Sequence, residues 1–316
     1  KTVTLTVSEA VTGSPATGDF AVTTNNVNNP VTAVAVDGTA VTLTITNYIE
    51  NSATVTVGYT KSSTAENQLK DAGGNALATL GSAATVTVSN DGTGPTVSGV
   101  SSTSDDGSYS IGDLIPVTVT FSEAVVVDTS GGTPTLTLET GTTDRTATYV
   151  SGSDSTVLVF NYTVQSGDTS GDLAYTGTNA LTLNSGTIED RAGNTATLTL
   201  AAAGVAGSLS VNKALVIDGA IPTFSARAAT AGTKTVTLTV SEAVTGSPAT
   251  GDFTVTTNNV NNPVTAVAVD GTTVTLTITN YIENSATVTV GYAKSSTAAN
   301  QLQDAAGNAL ATLADA

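Results

Sequence analysis

Residues 1–80 return almost letter for letter at residues 234–313, displaced by 233 positions, with differences only at 21, 40, 60, 66, 70 and 73 of the first copy. Two stretches this alike must fold alike. Near-identical tandem copies are the mark of an array, in which each unit contributes length or valency and no unit holds a unique site. The expectation is a structural surface protein rather than an enzyme.

The repeated stretch alternates. Val3, Leu5 and Val7 face one way and Thr2, Thr4 and Thr6 the other, the period-2 pattern of a half-buried strand. Similar runs at 20–24, 32–36, 41–46, 54–59 and 84–89 predict further strands, and Asp37-Gly38, repeated as Asp270-Gly271, predicts a tight hairpin. Thr, Val, Gly, Asn and Asp dominate, with only 4% aromatic residues, which favours strands and turns. An apolar content of 39% is too high for wholesale disorder.

The segment between the copies shares the plan but not the letters. Strands are expected at 96–100, 115–121, 135–138, 146–150, 157–163, 180–183 and 195–200, with a further run at 214–217 that the pattern does not place. Short strands at this density, separated by turn signals, predict an all-β chain of tandem immunoglobulin-like β-sandwich domains in an elongated array. The expected units are 1–90, 91–217 and 218–316, the first lacking its first strand and the third its last.

If successive strands alternate direction, three acidic positions of the middle unit fall at its N-terminal pole. They are Asp91 in the entering linker, Glu123 at the end of the second strand, and Asp190 before the seventh. The trio recurs in the third unit as Asp218, Glu242 and Asp304, whereas the first unit has Glu9 and Asp71. Three converging carboxylates repel one another unless a positive charge sits between them, and no Lys or Arg recurs there, Arg191 in one loop apart. With no His or Cys in the chain, a hard cation fits better than zinc: Ca²⁺ takes about 6–8 oxygen ligands and mixes carboxylates with carbonyls and waters. The expectation is one Ca²⁺ per junction, tying the linker to the domain it enters. The competing reading makes Ser-Glu-Ala and Asp-x-x-Gly-Asn solvated turns in which Asp and Asn cap their own backbone.

Other chemistry is poorly supported. Asp105-Asp106, or Asp168 with Asp172, could be carboxylate pairs for glycoside cleavage, but they lie in Gly/Ser-rich stretches without an aromatic platform. A Ser-His triad cannot form in a chain without His. Nine basic against 26 acidic residues, net charge −17, argue against nucleic acid. No apolar run is long enough to suggest membrane insertion. Without Cys there is no disulfide framework, so packing or metal must hold the fold in an oxidising space.

Several motifs carry a resemblance. Lys1-Thr-Val-Thr-Leu-Thr-Val-Ser-Glu-Ala-Val11, Thr54-Val-Thr-Val-Gly-Tyr59, Asn67-Gln-Leu-Lys-Asp-Ala-Gly-Gly-Asn75 and Gln301-Leu-Gln-Asp-Ala-Ala-Gly-Asn308 are similar to the swimming-motility (SWM) type repeat of giant bacterial surface proteins. The middle unit resembles bacterial Ig-like extender domains through Asp91-Gly-Thr-Gly-Pro95, Val119-Thr-Phe-Ser-Glu-Ala-Val125 and Glu189-Asp-Arg-Ala-Gly-Asn194. Glu66 and Lys70 become Ala299 and Gln303 in the second copy, so that loop has no fixed charge role. The resemblance implies an extracellular or cell-surface stalk, often calcium-stabilised, with adhesion or matrix roles.

The expected partners are other copies of the same unit, head to tail, within one long chain or between subunits that complete each other's missing strands. The alternatives are a glycan- or protein-binding surface module and an S-layer-like subunit. The scattered tyrosines count against a glycan platform.

Overall fold

The computed structural model describes residues 1–51, 53–86 and 91–314, the side chains of 82, 83 and 85 excepted. It is all-β, with three apolar cores in chain order. The first gathers Val3, Phe20, Leu43, Val57 and Leu69, the second Val117, Leu136, Phe160, Leu173 and Leu215, and the third Val236, Phe253, Leu276, Tyr292 and Leu310. Each core lies between sheets, so the chain is a tandem of β-sandwiches of the immunoglobulin-like kind.

In the first unit one sheet runs in the order Thr2–Thr6, Ala40–Ile45, Val31–Asp37. The facing sheet runs Val27–Asn28, Phe20–Thr24, Val55–Tyr59, Leu80–Val86. The alternation explains the layering: Val41, Leu43 and Ile45 are buried while the threonines between them are only half-buried. The predicted hairpin is present, with Asp37 paired to Ala40 across a two-residue turn and Gly38 at φ +57°. A second tight turn lacks any glycine. Asn25 and Asn26 both adopt positive φ, 49° and 64°, and join Phe20–Thr24 to Val27–Asn28; Asn258 and Asn259 do the same in the third unit. Asn is the residue that tolerates the left-handed region at least cost after glycine.

The twin units differ at their edges. In the third, Phe224–Ala229 pairs with Thr235–Val240, whereas in the first nothing among the described residues lies outside Thr2–Thr6. Conversely, Leu80–Val86 lines Val55–Tyr59 in the first unit, while among the described residues Val288–Tyr292 has only the isolated bridge between Tyr292 and Leu313 on that side. The strand expected at 84–89 thus begins earlier, at Leu80, and residues 87–89 lie outside the described residues.

Three features of the middle unit differ from the sequence pattern. The strand expected to stop at 121 runs on as Leu114–Asp128. A register shift between Thr120 and Val125 lets it leave Ser155–Thr163 and pair with Thr187–Glu189, and the buried Val125 restores the inward alternation. Residues 195–200 form only isolated bridges, because the entering linker lies against them: Thr197 N–H donates to Pro95 O at 2.7 Å. The run at 214–217 is Leu215–Asp218, parallel to Gly107–Tyr109 and antiparallel to Thr169–Ser170. That small sheet carries the chain out of the unit. Gly219 N–H donates to Asp168 O, and a Cβ at Gly219 would stand 2.3 Å from Gln165 O, so the exit admits only glycine.

Candidate metal centres at the unit junctions

The entering linkers are pinned by serines. Thr96 N–H donates to Ser122 Oγ at 3.0 Å and Ser122 N–H returns to Thr96 O at 2.8 Å. Thr223 and Ser241 repeat the exchange at 3.0 and 2.8 Å. The residue after each serine is the acidic member of the trio, Glu123 or Glu242. The serine therefore fixes where that glutamate stands relative to the linker.

The acid loops have their own cradle. Asp190 is buried; its Oδ1 accepts from Ala192 N–H (2.7 Å) and Asn194 N–H (2.9 Å), its Oδ2 from Asn194 Nδ2 (2.7 Å). Asp304, also buried, takes three backbone N–H groups on Oδ1 and Asn308 Nδ2 on Oδ2 at 2.9 Å. These oriented donors fix where each carboxylate points.

Carboxylate oxygens of Asp91, Glu123 and Asp190 lie within 4.8 Å of one another, and those of Asp218, Glu242 and Asp304 do the same. Burial first, and then the two neighbouring carboxylates, push Glu123 and Glu242 above the ordinary glutamate range. Arg191 lines the same groove as the first trio, but its ion pair is made elsewhere. Its guanidinium pairs with Asp154 at 2.6 Å and stacks over Tyr48 at 3.6 Å. Each trio is thus a negative focus built from hard oxygen donors alone.

Glu9 and Asp71 line one small groove in the first unit, with no third acid beside them among the described residues. The Asp71 cradle is intact, with Asn75 N–H on Oδ1 at 2.8 Å and Asn75 Nδ2 on Oδ2 at 2.9 Å, and these bonds hold Asp71 below the usual aspartate range.

The loop asparagines carry a role that the sequence pattern does not reveal. Asn194 Nδ2 also donates to Asp91 O (2.9 Å), while its Oδ1 accepts from Asn51 Nδ2 of the preceding unit (3.1 Å). Asn308 does likewise, with Nδ2 to Asp218 O (2.7 Å) and Oδ1 accepting from Ile111 N–H (3.0 Å). One amide therefore joins acid loop, linker and neighbouring domain at each junction. Asn51 N–H adds a bond to Ala192 O at the first. The weak signal in the sequence is the fixed Asp-x-x-x-Asn spacing in all three units.

Asp168, one of the carboxylates weighed for glycoside cleavage, is buried against Arg145 Nε (2.7 Å), Tyr162 OH (2.7 Å) and Gln165 N–H (2.9 Å). Its side chain is spent on packing the exit of the middle unit. Asp172 is exposed.

A family model for the SWM repeat, described as "Putative flagellar system-associated repeat", matches residues 12–64 and 245–297. No curated protein sequence matches the chain. Among solved structures, the plexin A4 full extracellular region, domains 1 to 10, is similar at 10% identity and a TM-score of 0.21, over 92% of this chain. This chain spans 19% of that one, and a likeness so slight carries no argument. One match falls in the first unit and one in the third, and over those residues each is similar to the SWM repeat.

Proposed function

We propose that this chain is a structural repeat module of an extracellular fibre or giant cell-surface adhesin, its domain junctions stiffened by Ca²⁺. The observation that carries the reading is the recurrence of one three-carboxylate focus at two successive junctions, in domains whose sequences otherwise differ. The donor set is all oxygen, which suits Ca²⁺ and not a thiolate- or imidazole-seeking metal. Asp91 and Asp218 belong to the linker, Glu123 and Glu242 to the serine-pinned turn or bulge, and Asp190 and Asp304 to the cradled loop. A cation shared by all three would resist bending of the linker and relieve the repulsion that raises the glutamates. Copies arranged head to tail, in one chain or several, would extend the same joint.

Binding of a glycan is less well served. The groove at the first junction, about 690 Å³, contains Tyr48, but Lys1 and Arg191 cover that ring at 4.3 and 3.6 Å. No free aromatic platform is left there for a sugar.

The test is a thermal melt of the whole chain in calcium and in excess chelator, repeated for Asp190→Asn with Asp304→Asn. Calcium should raise the melting temperature of the parent and not of the double variant. A site held at about 100-fold over its Kd adds about 2.7 kcal/mol. Superimposable melts of the parent with and without chelator would remove the ion from this reading.

A further inference from the structure

In the third unit the entering segment is seated at every step. Asp218 O takes Asn308 Nδ2, Pro222 O takes Ala311 N–H at 3.1 Å, and Thr223 exchanges two bonds with Ser241. Phe224 then packs edge-on against Tyr292, 5.7 Å between centroids, and Phe224–Ala229 pairs antiparallel with Thr235–Val240. Beneath it Val236, Leu238, Val240 and Leu310 are fully buried.

The first unit presents the same receiving residues, and no described strand pairs with Thr2–Thr6 on its outer side, although Val3 and Tyr59 are already buried. Ser8, Asn75, Ala78, Tyr59 and Val3–Val7 are identical to Ser241, Asn308, Ala311, Tyr292 and Val236–Val240, and none of the six differences between the copies falls among them. Leu5, Val7 and Leu77, the counterparts of buried Leu238, Val240 and Leu310, are only half-buried. Val7, Ser8, Asn75 and Ala78 line an open groove of about 180 Å³ where the third unit holds its Pro-Thr step.

We propose that this groove and the Thr2–Thr6 edge form a strand-acceptor site for an extended segment of the type Asp-Gly-x-x-Pro-Thr-Phe. The Pro-Thr pair lies against Ser8 and Ala78, and the following residues pair antiparallel with the edge. The register is fixed by the twin: Phe224 opposite Val7, Ala226 opposite Thr6, Ala229 opposite Val3. The leading Asp adds a third carboxylate to Glu9 and Asp71. That last step alone rests on the calcium reading; the strand pairing does not.

The probe is a synthetic peptide of residues 218–230 added to the whole chain. Binding is followed by fluorescence anisotropy of labelled peptide and by amide hydrogen exchange at Thr2–Val7. Saturable one-to-one binding, with those amides protected, is expected. Because the chain contains no cysteine, register can be read covalently. Peptide carrying Ala226→Cys should crosslink to Thr6→Cys at least about tenfold faster than to Thr2→Cys, both surface positions that leave the core intact. Absence of binding at about 1 mM peptide, or crosslinking without preference for position 6, overturns the proposal. Binding that keeps its register but ignores calcium supports the acceptor site and removes only the cation from it.

Discussion

Asp168→Asn tests whether the buried carboxylate of the middle unit holds the exit in place. The side chain of Asp168 is 1% exposed and serves Arg145, Tyr162 and Gln165 together, whereas Arg145 keeps 26% of its side chain in solvent. An amide can still accept from Tyr162 and Gln165 through its oxygen, but its NH₂ then faces the Arg145 Nε–H, donor against donor. Breaking a buried ion pair by removing one charge costs about 3–5 kcal/mol. The solvent left to Arg145 reduces that to about 2–4 kcal/mol. At roughly 3 °C per kcal/mol for a unit of this size, the melting temperature of the middle unit should fall by about 6–12 °C. Asp172→Asn, four residues on and exposed, should stay within about 0.5 kcal/mol. Thermal unfolding followed by tyrosine fluorescence reads the shift, with Tyr109, Tyr149, Tyr162 and Tyr175 in the middle unit and the outer-unit tyrosines as a background common to both variants, and calcium-free buffer keeps the junctions out of the comparison. Equal midpoints for the two variants would refute the reasoning, because the burial and bonding of Asp168 would then count for nothing.

Asn194→Ala removes the amide shared by acid loop, linker and the first unit; it should loosen that junction by about 1–3 kcal/mol, seen as a broader distance distribution between spin labels on the first and middle units, in chelator as well as in calcium. Leu238→Ala and Leu5→Ala change the same residue in twin units. The fully buried Leu238 should cost about 2–5 kcal/mol and the half-buried Leu5 roughly half as much, read from the separate unfolding transitions of the two units.

The outer units were readable because alternation, turn residues and duplication agree. Val41, Leu43 and Ile45 point inward as their spacing dictates, and Asp37-Gly38 closes its hairpin. The meeting of Asp91, Glu123 and Asp190 was legible for a related reason: strands that reverse direction carry chosen loops back to one pole. What the pattern hides is bonding between distant backbone groups. Residues 195–200 alternate like a strand, yet their neighbour is a linker, so no ladder grows. Leu215–Asp218 finds a parallel partner in Gly107–Tyr109, three residues too few to announce themselves. Glu123 sits in a bulged strand rather than a loop because Val125 resumes the buried face after the shift. Asn194 and Asn308 look like ordinary turn residues, and only the tertiary structure reveals the carbonyls of Asp91 and Asp218 behind them.

The asparagine amide at each junction ties the neighbouring domain to the acid loop and the linker. It grips the neighbouring domain with its oxygen and the acid loop and linker with its nitrogen, so hinge angle and the spacing of the three acids cannot vary independently. On the calcium reading, reciprocity then requires that a pull which straightens the hinge tightens ion binding by the same factor by which the ion favours the straight form. If the ion favours the straight hinge, a stalk built this way would bind calcium more tightly when pulled than when slack.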